Sequence, residues 1–139
     1  MPRIHRAILT EMPFSRIALW GRILATIAEA SDGRIVHATL TKPMLDETGT
    51  EQHDADGVVE FMARSKGADV AVLIRELGPL ETRVSVRTTP SVDATAIAAA
   101  FGGGGHTGRA GCTVLRSAAD AARLVVTVAE EQIASSRRG

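Results

Sequence analysis

Asp69-Val-Ala-Val-Leu-Ile-Arg75 is a continuous apolar run of strand length between two charged residues. That is the pattern of a strand whose two faces are both covered, so this segment is read as the centre of a sheet. Leu77-Gly78-Pro79-Leu80 supplies a turn, and Arg83-Val-Ser-Val-Arg-Thr88 then alternates strictly between apolar and polar residues. The alternation makes it a hairpin partner with Val84 and Val86 on the core face, and with Arg83, Ser85 and Arg87 together on the other.

Upstream, Arg34 to Thr41 is β-branched and partly alternating, a strand stopped before Pro43. Before it, Ser15 is placed to cap a helix in which Ile17, Trp20, Ile23, Leu24, Ile27 and Ala28 line one face and Asp32-Gly33 ends the element. Between the two strands, Lys42 to Glu51 is turn-like, with room for one helical turn. Asp54 or Asp56 then caps a second helix to about Ser65, with Val58, Val59 and Met62 inward and Gly67 closing it. Downstream, Asp93 caps a short alanine-rich helix to Phe101, a glycine run follows, and Gly111 to Leu115 reads as a further strand. Ser117, with Asp120 three residues on, opens a long C-terminal helix to about Ser135. The expected order is α-β-α-β-β-α-loop-β-α. A hairpin within it implies a mixed β-sheet packed by helices, an α/β fold in one domain over residues 1–139.

Composition narrows the function classes. The chain has 139 residues, 45% of them hydrophobic, which suffices for one core without disulfides or metals. Sixteen basic side chains balance sixteen acidic ones, so no overall field draws it to a polyanion or an anionic membrane, and any nucleic-acid contact has to be local. Aromatic residues make up 3%, with no tyrosine, which argues against a surface that stacks successive bases. The lone cysteine, Cys112, packs as a small apolar residue and fits a reducing cytoplasm; no apolar run reaches membrane-spanning length.

The run Gly102-Gly103-Gly104-Gly105, closed by His106, is the feature with chemical potential. Four glycines cost roughly 0.5 to 1 kcal/mol each against alanine, so the segment needs something only glycine permits. One such need is geometry, a left-handed helix end and a close approach of chains, which accounts for one or two of the four. The other is a concavity of backbone N–H groups that holds a phosphate, with His106 adding a ring donor. The run follows a helix and precedes a strand, so it is neither a Walker loop nor a dinucleotide fingerprint. His53-Asp54-Ala55-Asp56 has ligand types that suit manganese, but aspartates just before an apolar helical pattern are read as caps. His5 and His37 have no partner at a useful spacing. No serine sits in a nucleophile elbow and Cys112 has no nearby base. Arg83 is read as a solvated charge that discourages edge pairing, and Arg137-Arg138 as a solvated terminus.

Phe101-Gly-Gly-Gly-Gly-His106, followed by Arg109-Ala-Gly111, resembles the glycine-histidine motif of the DHHA1 domain, the C-terminal half of DHH-family phosphoesterases. Ser15-Arg16 to Leu24, Thr39-Leu40-Thr41 with Met44, Asp56-Gly57, Ala71-Val72-Leu73 with Arg75-Glu76, and Val84-Ser85-Val86-Arg87 fall in the order of the oligoribonuclease and phosphoadenosine-phosphate phosphatase branch. The resemblance implies that Gly102, Gly103, Gly104, Gly105 and His106 hold substrate phosphate and that Arg87 helps bind a terminal nucleotide. The branch commonly has a lysine two residues after that arginine, where this chain has Thr89; Arg109 is the cation placed to compensate. It implies also that residues 1–13 are an irregular remnant of an interdomain linker. The DHH half, whose aspartates and histidines hold two manganese ions, has no counterpart in this sequence. The expectation is therefore a domain without catalysis or cofactor of its own, binding a short RNA or DNA oligonucleotide or a phosphorylated nucleotide beside a DHH catalytic domain. Two alternatives stand: a fragment of an intact manganese-dependent phosphoesterase, or a unit that forms a homodimer through the exposed cleft face.

Overall fold

The computed structural model describes residues 11–138; the expected irregular start and His5 lie largely or wholly outside them, as do the side chains of Arg137 and Arg138. Its elements are α1 (Phe14–Leu24), β1 (Ala28–Ala30), β2 (Ile35–Leu40), α2 (Lys42–Thr48), a 3₁₀ turn (Gln52–Ala55) and α3 (Val58–Met62). They continue with β3 (Val70–Gly78), β4 (Glu81–Thr88), α4 (Ala94–Ala99), β5 (Gly104–His106), β6 (Arg109–Val114) and α5 (Ala118–Arg138).

β3 is central, as its composition requires. The six strands lie in the order β1-β2-β3-β4-β6-β5, with β2 parallel to β3 and every other neighbour antiparallel. A parallel pair needs a long crossover, and α2, the 3₁₀ turn and α3 supply it. Val70, Val72 and Ile74 face one core with Val84, Val86, Ile97, Ala121, Val125, Ala129 and Ile133, contributed by β4, α4 and α5. Ala71 and Leu73 face a second core with Leu19 and Ile23 of α1, Val58, Val59 and Met62 of α3, and Val36, Ala38 and Leu40 of β2. This second core takes nothing from β4, β5 or β6. The helices on that side therefore cover only half of the sheet.

Five elements differ from the sequence reading. α3 starts after Gly57 with no side-chain cap from Asp54 or Asp56, and it ends at Met62 rather than near Ser65. α1 starts after Pro13 with no side-chain cap, so Ser15 is helical rather than capping, and the buried seam is Leu19 and Ile23, with Ile17 52% exposed. It ends at Leu24, and Ala28–Ala30 forms an edge strand that pairs with β2 through a turn in which Ser31, Asp32 and Gly33 all have positive φ. Asp-Gly marks hairpins as well as helix ends, and here the hairpin wins. Lys42 to Thr48 is a full helix, with Pro43 in its first turn and Gly49 as its left-handed cap. Finally, the glycine run carries the short edge strand β5. Asp93 does cap α4, accepting the Thr95 N–H at 2.9 Å, and the Ser117 hydroxyl accepts the Asp120 N–H at 3.2 Å before α5.

Asp69 locks the start of β3 to its surroundings. Its carboxylate accepts from Arg34 Nε at 2.7 Å and from the hydroxyls of Thr89 at 2.9 Å and Ser91 at 3.2 Å, joining the turn before β2 to the loop after β4. Burial pushes the Asp69 carboxyl up, but hydrogen bonds from Arg34 and Thr89, the Arg34 charge and the Ser91 bond together hold it below its ordinary 3.8. A lowered folded value means stability present above the ordinary value and lost as pH falls through the folded one. Asp69→Asn is expected to cost about 1–2 kcal/mol at neutral pH, and urea unfolding should show this gap closing as pH falls below 3.8.

Candidate functional site

Three of the four glycines have geometric reasons. Gly102, at φ +78°, ends α4 in the left-handed region, and the Gly103 N–H returns to the Ala98 carbonyl at 2.9 Å. A Cβ on Gly103 would lie 2.2 Å from the Gly111 carbonyl oxygen and 2.6 Å from Cys112 Cβ, so only glycine lets the chain pass over β6. Gly105, at φ +155°, would place a Cβ 2.4 Å from the Arg109 carbonyl oxygen and 2.6 Å from Ala110 Cα. Gly104 is different: its φ is ordinary and a Cβ there would meet nothing within 4 Å. The glycine at 104 leaves open a space that neither turn geometry nor packing requires.

That space belongs to a groove of about 260 Å³ lined by Arg83, Ser85, Arg87, Gly104, Gly105, His106, Arg109, Ala110 and Gly111. It lies on the half of the sheet that α1 and α3 leave bare. The register builds its floor in two rows: Arg87 stands opposite Arg109, which stands opposite His106, while Ser85 stands opposite Gly111, which stands opposite Gly104. The structure thus brings together Arg87, Gly104, Gly105, His106 and Arg109, and leaves Gly102 and Gly103 at the helix end outside the lining. Arg83, Ser85 and Gly111 join them. β4 is paired on both sides, so Arg83 guards no edge; the alternation had put it on the Arg87 face, but only the helix positions decide that this face is open.

The electrostatics are strongly one-signed. Arg87 is held by Glu60 of α3, with Nε and Nη2 each 2.7 Å from Oε2. Among the described residues, no carboxylate lies within ion-pair distance of Arg83 or Arg109. Like charges directly opposite across strands repel, and Arg87 and Arg109 are such a pair. Beneath the floor, Cys112 is buried; burial pushes its thiol up against the downward pull of Arg83. His37 lies elsewhere, half-buried beside Ala122, Arg123, Val126 and Thr127 on the α5 face, and burial lowers its pKa.

The aspartates of the His53–Asp56 segment are engaged elsewhere. Asp54 accepts the Glu51 N–H at 2.9 Å, Asp56 meets Arg75 at 3.3 Å, and its carbonyl takes Arg16 Nη2 at 2.7 Å. Among the described residues, no group of three or more histidines, cysteines, aspartates or glutamates is close enough to hold a metal ion. The segment does not fit manganese. Nor does any described helix have the length and apolarity to cross a membrane.

Residues 32–135 match the DHHA1 domain. The chain belongs to the DHHA1 domain family. This DHHA1 domain is 34% identical over 121 residues to the bifunctional oligoribonuclease and PAP phosphatase NrnA of Thermus thermophilus, covering 86% of the chain but 36% of that relative. Its fold superposes on an exopolyphosphatase-related protein from Bacteroides fragilis with a TM-score of 0.86 at 21% identity, covering 96% of this chain and 39% of the other. A pGpG-specific phosphodiesterase, PggH, from Vibrio cholerae superposes with a TM-score of 0.56 at 13% identity, covering 83% of this chain and 39% of the other. The domain thus spans little more than a third of each of these relatives.

The glycine assignments are separable by stability. Gly103→Ala and Gly105→Ala are each expected to cost about 1–3 kcal/mol through overpacking against β6. Gly104→Ala should stay within about 0.5 kcal/mol of the parent in thermal or urea unfolding, as for an exposed site without strain.

Proposed function

We propose that this domain binds a short RNA or DNA oligonucleotide or a phosphorylated nucleotide in the Arg87–Arg109–His106 groove, as the substrate-gripping half of a DHH-type phosphoesterase. The observation that carries this reading is the opposed pair Arg87 and Arg109 on the uncovered half of the sheet, beside a glycine that leaves room above the floor. The Arg109 guanidinium offers a planar fork that matches phosphate oxygens, while Arg87, whose Nε and Nη2 are held by Glu60, adds a charge that Glu60 partly offsets. His106 and Arg109 are exposed and accessible to such a ligand.

Hydrolysis, on this reading, belongs to a DHH catalytic domain carrying manganese, and the chain's own residues bind and orient the ester rather than transfer protons. The working compartment is the cytoplasm, where nucleotides and reduced thiols coexist. Pairing of two copies through the same face is the weaker reading, because a self-complementary interface would bring together two surfaces that each carry Arg83, Arg87 and Arg109.

The test uses the 139-residue chain and a 5′-phosphorylated dinucleotide, followed by calorimetry at several salt concentrations. Binding should weaken as salt rises, and His106→Ala, Arg109→Ala and Gly104→Val should each weaken it about tenfold or more. Variants that stay folded and bind as tightly as the parent would make the groove a structural feature only. Manganese with the same dinucleotide should give no turnover.

A further inference from the structure

Among the described residues, Glu60 is the one carboxylate at ion-pair distance from an arginine of the groove, yet it is not part of the groove lining. It reaches Arg87 from α3, where buried Val58, Val59 and Met62 fix the backbone against the sheet and leave Glu60 exposed. Both of its contacts fall on a single oxygen: Arg87 Nε and Nη2 each lie 2.7 Å from Oε2. Arg87 Nη1 is occupied as well, donating to the Val86 carbonyl at 3.0 Å. Three of the five N–H groups that a guanidinium offers are thus taken, among them the Nε–Nη2 edge that fits an oxyanion.

The two partners are held unequally. The Arg87 side chain is 20% exposed and that of Glu60 49%. A carboxylate that fixes an arginine in place is itself fixed, as Asp69 shows: it holds Arg34 while Thr89 and Ser91 hold it. Among the described residues, the Glu60 carboxylate has hydrogen bonds to Arg87 alone. An exposed ion pair is worth no more than about a fivefold change in an equilibrium constant, and an arginine–phosphate contact is stronger. Turning Glu60 out into water therefore costs little and returns the Arg87 edge to the groove.

We propose that Glu60 is a built-in competitor for Arg87, a releasable counterion that an incoming anion displaces, so that it lowers the affinity of the groove without touching the ligand. The inference rests on the phosphate-binding reading above and concerns what Glu60 does to it. In the empty domain Glu60 offsets the charge of Arg87 opposite Arg109. A bound phosphoryl group takes over that task, and Glu60 leaves.

The wild-type chain, Glu60→Ala, Glu60→Gln and His106→Ala should each be titrated with 5′-phosphorylated diadenylate by calorimetry. Position 60 is exposed, so both of its variants should keep the fold, which thermal unfolding checks. Removing the carboxylate should tighten binding about three- to fivefold, the reverse of deleting a contact to the ligand. The salt slope should steepen by about 0.7, the value for one more cation neutralising phosphate on a single strand. The Arg87 Nε–H nuclear magnetic resonance signal, assigned by its loss in Arg87→Lys, reads the exchange directly. Saturation of the wild type should move it from its Glu60-paired position, and a signal that stays put would show the ion pair surviving in the complex and overturn the competitor. Weaker binding in Glu60→Ala would make Glu60 a positioning residue, and unchanged binding an incidental surface charge. Either overturns the proposal while His106→Ala still weakens binding and the groove reading stands. If His106→Ala binds as the wild type does, the groove reading fails, and this inference with it.

Discussion

The enclosure of β3 governs the rest of the molecule. Its first five residues are buried, with β2 along one edge, β4 along the other, α4 and α5 packed on one side and α1 and α3 on the other. A strand covered on both faces has no polar face to offer, so any binding surface has to be made by its neighbours. On the β4 side the helical cover stops, and the same pleat that sends Val84 and Val86 into one core sends Arg83, Ser85 and Arg87 into the open. The candidate site is thus a consequence of a two-layer cover that is complete on one side and half complete on the other.

That bare surface contradicts local rules of stability in several ways at once. Arg87 opposite Arg109 costs a few tenths of a kcal/mol up to about 1. The half-exposed Glu60 offsets part of it, since an exposed ion pair is worth about 0–1 kcal/mol. Gly104 opposite Gly111 removes a cross-strand side-chain contact where a pair of β-branched residues would have stabilised the sheet. Each departure is small, but they converge on one 260 Å³ groove. Local choices that disagree with the fold at a single place are the pattern expected where a ligand, absent from the accounting, supplies the compensation.

The sequence was most legible where side chains carry the pattern. The apolar run of β3, the alternation of β4, the Asp93 cap and the Ser117–Asp120 start of α5 all emerge from residue types alone. β5 did not, because glycines have no periodicity to read and a three-residue edge strand exists only through its register with β6. β1 was hidden for a related reason: Ala-Glu-Ala has high helix propensity, and a tertiary contact decides its state, with the Thr39 N–H donating to Thr26 Oγ1 at 2.8 Å just before it. Arg83 shows the limit in the site itself. Its face was readable from the alternation, whereas the absence of a helix above that face depends on the length of the crossover and where it packs.

On the proposed function, the openness of the groove bears on how such a surface would work beside a catalytic domain. In water, a guanidinium and a phosphate at contact attract by about 1 kcal/mol, and at the intermediate dielectric of a covered surface by several times that. Under the proposed function, exposed Arg83, Arg109 and His106 would therefore hold a phosphate weakly while the floor faces solvent, and far more strongly once a second surface excluded water. The bare half-sheet and a catalytic partner would in this sense be complementary: the arginines would give orientation and charge, and closure by the partner would set how much that charge is worth. A domain that bound tightly in the open state would hold product as firmly as substrate, so weak binding before closure is what turnover in the proposed assembly would require.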